Sequence, residues 1–238
     1  MIGTFWLDGI ASTRYGIILR SPPPIVTPER DVETVAVPGK SGDVHFDKGR
    51  FKNISVPYKC ALLPKNGAGF RVAAAEVATF LESGARYKRL INNYDPHHFR
   101  MARVANPPRV ESIVEQAGSF EIAFDCKPQR YRRDGEKEYE ATRPIVLNNP
   151  TDCPALPLIT VYGNGPGVLT VGPYRCNVLN INQWLRIDSE TESANKGVED
   201  MNEAVEIANY PVLKKGKTRI EFDGGITKII IKPRWWTL

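Results

Sequence analysis

Alternation of apolar and polar positions dominates the chain. Ile54, Val56, Tyr58, Cys60 and Leu62 are interleaved with Asn53, Ser55, Pro57, Lys59 and Ala61, and Phe120, Ile122, Phe124 and Cys126 with Ser119, Glu121, Ala123 and Asp125. Successive side chains of an extended chain point to opposite faces, so both runs predict half-buried strands. Further on, Ile220 and Phe222 alternate with Arg219, Glu221 and Asp223, and Ile226 to Lys232 follow Gly224-Gly225, which predicts a hairpin closed by a glycine turn. One segment has another period. Between Gly69 and Gly84, Ala73, Val77, Phe80 and Leu81 fall at i, i+4, i+7 and i+8, which predicts a single amphipathic helix over residues 70–83, with Gly84 as its stop, covering a sheet face or edge.

The polar run from Arg130 to Glu138 has little to bury, and Asn148-Asn149-Pro150, Pro154 and Pro157 follow it. These place a boundary near residue 140, giving domains 1–140 and 141–238. After it, turn signals at Gly163-Asn164-Gly165-Pro166-Gly167, Gly172-Pro173 and Lys214-Lys215-Gly216-Lys217 separate short strands, as in a β-sandwich. Trp235-Trp236, half of the chain's tryptophans, stand just before Thr237-Leu238. Neighbours on a strand face opposite ways, so one indole is expected in a core and the other against a loop or the N-terminal domain.

Composition adds limits. With 42% apolar and 25% charged residues, the chain is globular in character. Its net charge of +5 would favour phosphates, but 32 basic residues are scattered among 27 acids, which argues against nucleic-acid recognition. Cys60, Cys126, Cys153 and Cys176 form no C-x-x-C pair and read as reduced thiols. The first nine residues lack a basic n-region and an apolar h-region, and nothing approaches the ~18 apolar residues of a membrane span, so folding in the cytosol without membrane association is expected.

Candidate chemistry is thin. Gly39-Lys40-Ser41 invites a phosphate-loop reading, but Thr34 stands where the motif needs its first glycine and no helix follows, so a hairpin turn is the better account. Asp95-Pro96-His97-His98 could be imagined as metal ligands, yet adjacent histidines on an extended segment diverge, and a turn into a strand Phe99 to Val104 explains them better. No G-x-S-x-G elbow occurs, and acid pairs such as Glu190 and Glu192 read as solvated loop charges. No catalytic residue, metal or cofactor is assigned and an enzyme is disfavoured. Trp184 could form a sugar platform on a sandwich, but its first reading is a core tryptophan.

Several stretches, in order along nearly the whole chain, resemble the distal tail protein family (Dit) of long, non-contractile-tailed phages and prophages. They are 37–43 (VPGKSGD), 87–91 with Asp95-Pro96, 99–104 (FRMARV), 124–128 (FDCKP), 148–151 with 154–157 (NNPT, PALP), 187–190 (IDSE), 210–213 with Gly216 (YPVL), and 233–236 (PRWW). The resemblance implies a mainly β protein: an N-terminal β-rich domain with a long hairpin and one α-helix that assembles into a homo-hexameric ring, then a galectin-like β-sandwich. It also implies a virion structural protein at the distal tail tip, joining the tail tube protein to the tail-associated tip protein, with a receptor-binding protein as a further partner and a central channel that passes DNA without sequence-specific contact.

A cyclic ring needs two different patches per subunit. By resemblance they are expected on a hairpin spanning Arg30 to Tyr58, with Arg30, Glu33, Lys48, Arg50 and Lys52, and on the helix, with Val77 and Phe80; Trp184, Trp235 and Trp236 are expected to pack the C-terminal domain. The galectin sugar motif needs a His with Asn and Arg beside a stacking Trp, and no His follows His98. A glycan-binding adhesin module is therefore the second reading, and an uncharacterised hydrolase the third. Short loops point to a compact adaptor without a large arm, Asp188 to Val205 being the one roomy polar stretch.

Overall fold

The computed structural model describes residues 2–65, 69–82, 84–105, 111–114 and 117–238. The chain divides into two compact units, residues 1–130 with Leu238, and 131–237. The division falls ten residues before the sequence boundary. The polar run after Arg130 is not a linker: Tyr131 and Gly135 are buried, and the backbone N–H of Arg132 bonds the carbonyl of Trp235 at 2.8 Å.

In the first unit the alternating runs become neighbours. Strand Ala117–Arg132 pairs antiparallel with Ile54–Leu62 in unbroken register from Gly118↔Leu62 to Cys126↔Ile54. Because the register is unbroken, every apolar member of both runs stays on one face, and Ile54, Val56, Tyr58, Cys60, Leu62, Phe120, Ile122, Phe124 and Cys126 are all buried together. The sheet runs in the order Ile10–Ala11, Phe5–Leu7, Lys88–Asn92, Asp95–Val104, Ala117–Arg132, Ile54–Leu62, Ile17–Leu19. A bridge between Gly3 and Leu19, with Leu19 N–H to Gly3 O at 2.8 Å, joins the chain just before Phe5–Leu7 to the last strand of that order, so the sheet closes as a barrel. Inside it Phe5, Tyr58 and Phe124 meet edge to face, with ring centroids 4.9 to 5.7 Å apart.

The helix is Phe70–Leu81, and Ala73, Val77, Phe80 and Leu81 form its buried side, as the 3.6 periodicity predicts. Phe80 stacks on Tyr15 at 4.4 Å. Its last turn closes at Glu82, whose N–H bonds Ala78 O, so Gly84 lies beyond the end rather than at the cap.

The second unit corrects the reading of the glycines. Gly163 to Gly167 is not a turn between strands but a bend inside one strand, Leu158–Val171; likewise Gly224-Gly225 lies within Gly216–Lys232 instead of closing a hairpin. The two glycine sets face one another across the ladder, with register shifts at Gly163 and Gly167. A Cβ on Gly163 would collide with Gly225 O, one on Gly225 with Asn164 O, and one on Gly167 would come 2.8 Å from Asp223 O. Only glycine lets these backbones cross so closely. The bend folds three long strands back on themselves. One half-sheet holds Ile159, Val161, Leu185, Ile187, Ile229 and Ile231, the other Leu147, Leu169, Val171, Cys176, Val178 and Ile220, and all share one core. This is a sandwich made by bending strands.

Trp184 is therefore not a core residue. Strand Tyr174–Asp188 buries Cys176 and Val178 before the bend, but Ile181, Leu185 and Ile187 after it. The irregularity switches parity from even to odd positions and turns Trp184 outward, opposite Tyr162. Its ring lies 5.9 Å from the Arg186 guanidinium, and the Lys228 ammonium sits 4.6 Å from the Tyr162 ring.

Gly163→Ala is expected to cost about 3 kcal/mol through backbone strain and overlap. Gly197→Ala, also at positive φ but with open space around it, should cost about 1 kcal/mol. Denaturant unfolding of both variants checks the difference.

Candidate assembly interface

One piece of the first unit stands outside its sheet. Arg30–Val35 and Val44–Phe51 pair only with each other, as a two-stranded ribbon, and nearly all of their residues are exposed. It is shorter than expected from the sequence: Ile54–Leu62 belongs to the barrel, and Tyr58 is 4% exposed in the core. The loop joining the strands carries Gly39-Lys40-Ser41 as a turn, with Lys40 N–H to Val37 O at 3.1 Å. A two-stranded ribbon is marginal in water by itself, and both of its edges offer unpaired backbone groups.

Its charges are engaged internally. Arg30 reaches Asp47 at 3.1 Å, Lys48 reaches Glu33 at 3.3 Å, Arg50 reaches Asp31 at 2.7 Å and Lys52 reaches Glu29 at 3.6 Å. Each of these exposed pairs contributes about 0–1 kcal/mol, so together they hold the two strands in register more than they stabilise the fold. Beside these exposed pairs the ribbon also leaves apolar side chains uncovered: Phe46 is 57% exposed, and Val32, Val35 and Val37 are exposed with it. Sequence reasoning missed these four because it weighed the charges; the signal was an aromatic in an otherwise polar strand.

The helix contributes differently from expectation. Val77 is fully buried and Phe80 7% exposed, both inside the subunit's own core, so neither can meet a neighbour. The exposed side presents Val72, Glu76 and Thr79. It borders a groove of about 710 Å³ with Asp8, Ile10, Arg14 and Lys88 on its other walls.

The chain end is locked within the second unit. Trp235 is 4% exposed in the core, and the half-buried Trp236 donates its indole N–H to Pro154 O at 2.9 Å. Between them and the strand, Arg234 takes a positive φ of 58° and its guanidinium grips Asp188 with two bonds of 2.6 and 2.9 Å. Glu190 lies 3.5 Å from the same guanidinium and accepts a 3.4 Å bond from Tyr131. Nearby, Asn149 donates to Cys153 O and Leu213 O while its Oδ1 accepts two bonds from Thr151, which ties the segment after the boundary to Ala155↔Leu213.

Cys60, Cys126 and Cys176 are buried, and Cys153 is half-buried. Burial pushes the thiols of Cys60, Cys126 and Cys176 up to about 12, far from the thiolate that a nucleophile requires. His98 is engaged with Asp95 at 2.7 Å, and its strand begins at Asp95, earlier than the expected Phe99.

Residues 12–126 match the family profile of the phage tail protein RIFT-related domain. Among solved structures, the whole chain is similar to the Dit protein of phage SPP1, described as a paradigm of hub adsorption apparatus in phages that infect Gram-positive bacteria. The two share 14% identity and superpose with a TM-score of 0.74 over 100% of each chain, which establishes a common fold. A search of curated proteins gives no match.

The Arg234 fork sets a pH dependence. Burial pushes the Asp188 carboxyl up, but the two bonds and charge of Arg234 outweigh it and hold the group below the usual carboxylate range. A depressed carboxyl stabilises the fold above its unfolded pKa, near 3.9, and that contribution is lost as pH falls through the folded value. Asp188→Asn should cost about 3 kcal/mol at pH 7, because it removes the nearer anion from a largely buried guanidinium and leaves only Glu190 at 3.5 Å, and should flatten the loss of stability below pH 4. Thermal unfolding at pH 7 and across pH 2–5 reads both effects.

Proposed function

From a chain whose residues 12–126 match the phage tail protein RIFT-related domain, we infer a structural, non-enzymatic hub at the distal end of a long, non-contractile tail. The observation that carries this reading is the ribbon Arg30–Val35/Val44–Phe51: a strand pair with open edges and exposed apolar side chains, whose charges are already paired among themselves. Such a surface gains by being covered, and a neighbour in a ring covers it. The subunit-to-subunit contact is heterologous. Six copies close the ring, its centre passes DNA without reading sequence, one face meets the tail tube protein and the other the tail-associated tip protein, with a receptor-binding protein attached directly or through that tip. The similarity to SPP1 Dit supports the hub reading through the shared fold. The sandwich serves as the docking module.

Arg30, Glu33, Lys48, Arg50 and Lys52 then act by shaping the ribbon, and Phe46 with the valines supplies the contact. Phe46→Asp should keep the melting temperature of the isolated subunit and abolish rings seen by negative-stain microscopy or native mass spectrometry. Rings that persist at wild-type protein concentration would remove the ribbon from the interface, and a wild-type chain that stays monomeric even on tail tubes would remove the hub reading.

A second reading, a glycan-binding module, has one observation in its favour, the outward Tyr162 and Trp184 pair flanked by Lys228 and Arg186. It predicts retention on a cell-wall glycan array that Trp184→Ala abolishes without changing the fold.

A further inference from the structure

At one end of the barrel core lies a recess of about 220 Å³, walled by Pro22, Pro23 and Pro24 and floored by the barrel strands. Its polar lining is unusual for a core edge. Arg100, Arg130, His98, Asp95, Tyr58 and Asn92 all face it. The charges do not balance. Asp95 is the single carboxylate and is already occupied: one oxygen accepts from His98 Nδ1 at 2.7 Å, the other from Arg130 Nε and Nη2 at 2.8 and 2.7 Å. Arg100 is left half-buried, with one N–H given to Pro128 O at 3.1 Å and no carboxylate in ion-pair range among the described residues. Burial pulls its pKa down and outweighs the raising effect of the Asp95 charge.

We propose that this recess is a binding site for a small oxyanion, a carboxylate or phosphate group, seated on Arg100. The Arg fork offers parallel N–H donors that match such a group in two-point fashion. Tyr58 supplies a hydroxyl beside it, since its oxygen accepts from Asn92 at 3.2 Å and keeps its own proton to donate. The proline wall has no N–H to contribute, so it adds shape and excludes water while the donors come from the barrel side. The volume holds one oxyanion with a little of what bears it, and is too small for a nucleotide or a sugar chain. The site lies within the first unit and is independent of ring formation.

The test uses the full chain and inorganic phosphate, titrated by calorimetry and by thermal shift with sodium chloride adjusted to constant ionic strength, and acetate in parallel. Saturable binding of either anion is expected, phosphate alone marking a phosphate site and both marking a general oxyanion site. Arg100→Gln should weaken it by about tenfold or more, and Arg100→Lys, which keeps the charge but loses the fork, by about threefold or more. Asp95→Asn frees Arg130 and should bind at least as tightly as wild type. Absence of saturable binding to both anions, wild-type affinity in folded Arg100→Lys, or weaker binding in folded Asp95→Asn would each overturn the site.

Discussion

A β-strand carries unpaired backbone groups along each edge, and the way this chain disposes of its edges governs the rest of the structure. The first unit removes them by closure, through the bridge of Gly3 to Leu19 that turns a seven-strand order into a barrel. The second unit keeps its edges short by bending its three long strands, so the outermost pieces, such as Tyr139–Ala141 and Glu199–Asp200, span two or three residues. Both solutions depend on backbones approaching more closely than side chains allow. Gly3 against Leu19 and Gly163 against Gly225 are among the places where a Cβ has no room.

Against that background the ribbon Arg30–Val35/Val44–Phe51 is the exception. It has two open edges along its length and an exposed aromatic, Phe46, on one of its strands. A sequence that solves the edge problem twice and then leaves one long edge pair unsolved is consistent with a partner strand or surface supplied by another subunit. The four cross-strand ion pairs fit the same reading. They fix the geometry of a protruding element without supplying stickiness, because a charge already paired offers little to a newcomer.

How much of this could be read from the sequence depended on whether periodicity survived along each element. Where register is unbroken, as from Gly118↔Leu62 to Cys126↔Ile54, counting by two assigned every buried residue. The helix was equally legible, since one turn period separates Ala73, Val77, Phe80 and Leu81 from the exposed Val72 and Glu76. Counting failed at the bends. Gly163 to Gly167 and Gly224-Gly225 look like turns because glycine marks both a chain reversal and a close backbone crossing, and only the partner strand distinguishes them. Trp184 was misplaced for the same reason: parity counted from Cys176 and Val178 puts it inside, and the bend reverses the count. Val77 and Phe80 were correctly apolar but wrongly given to an interface, because a periodic stripe does not say whether its cover comes from the same subunit or the next.

Long-range polar contacts were the least legible, and they explain why separate short motifs carry the likeness to distal tail proteins. The 187–190 segment and the 233–236 segment are 46 residues apart and look unrelated, yet Asp188 and Arg234 are the two halves of one fork. The 148–151 and 210–213 segments meet in the same way, through the Asn149 side chain and the carbonyl of Leu213. Charged and amide side chains of this kind have exacting geometry and are costly to leave unpaired once buried, so each constrains its partner across the fold. Buried apolar positions carry no such pairwise demand and can exchange one aliphatic for another with modest loss. A chain sharing 14% identity with SPP1 Dit keeps a common fold over the full length of both, and in this chain the polar knots at Asn149 and at Asp188–Arg234 hold the boundary segment and the terminal tryptophans in place.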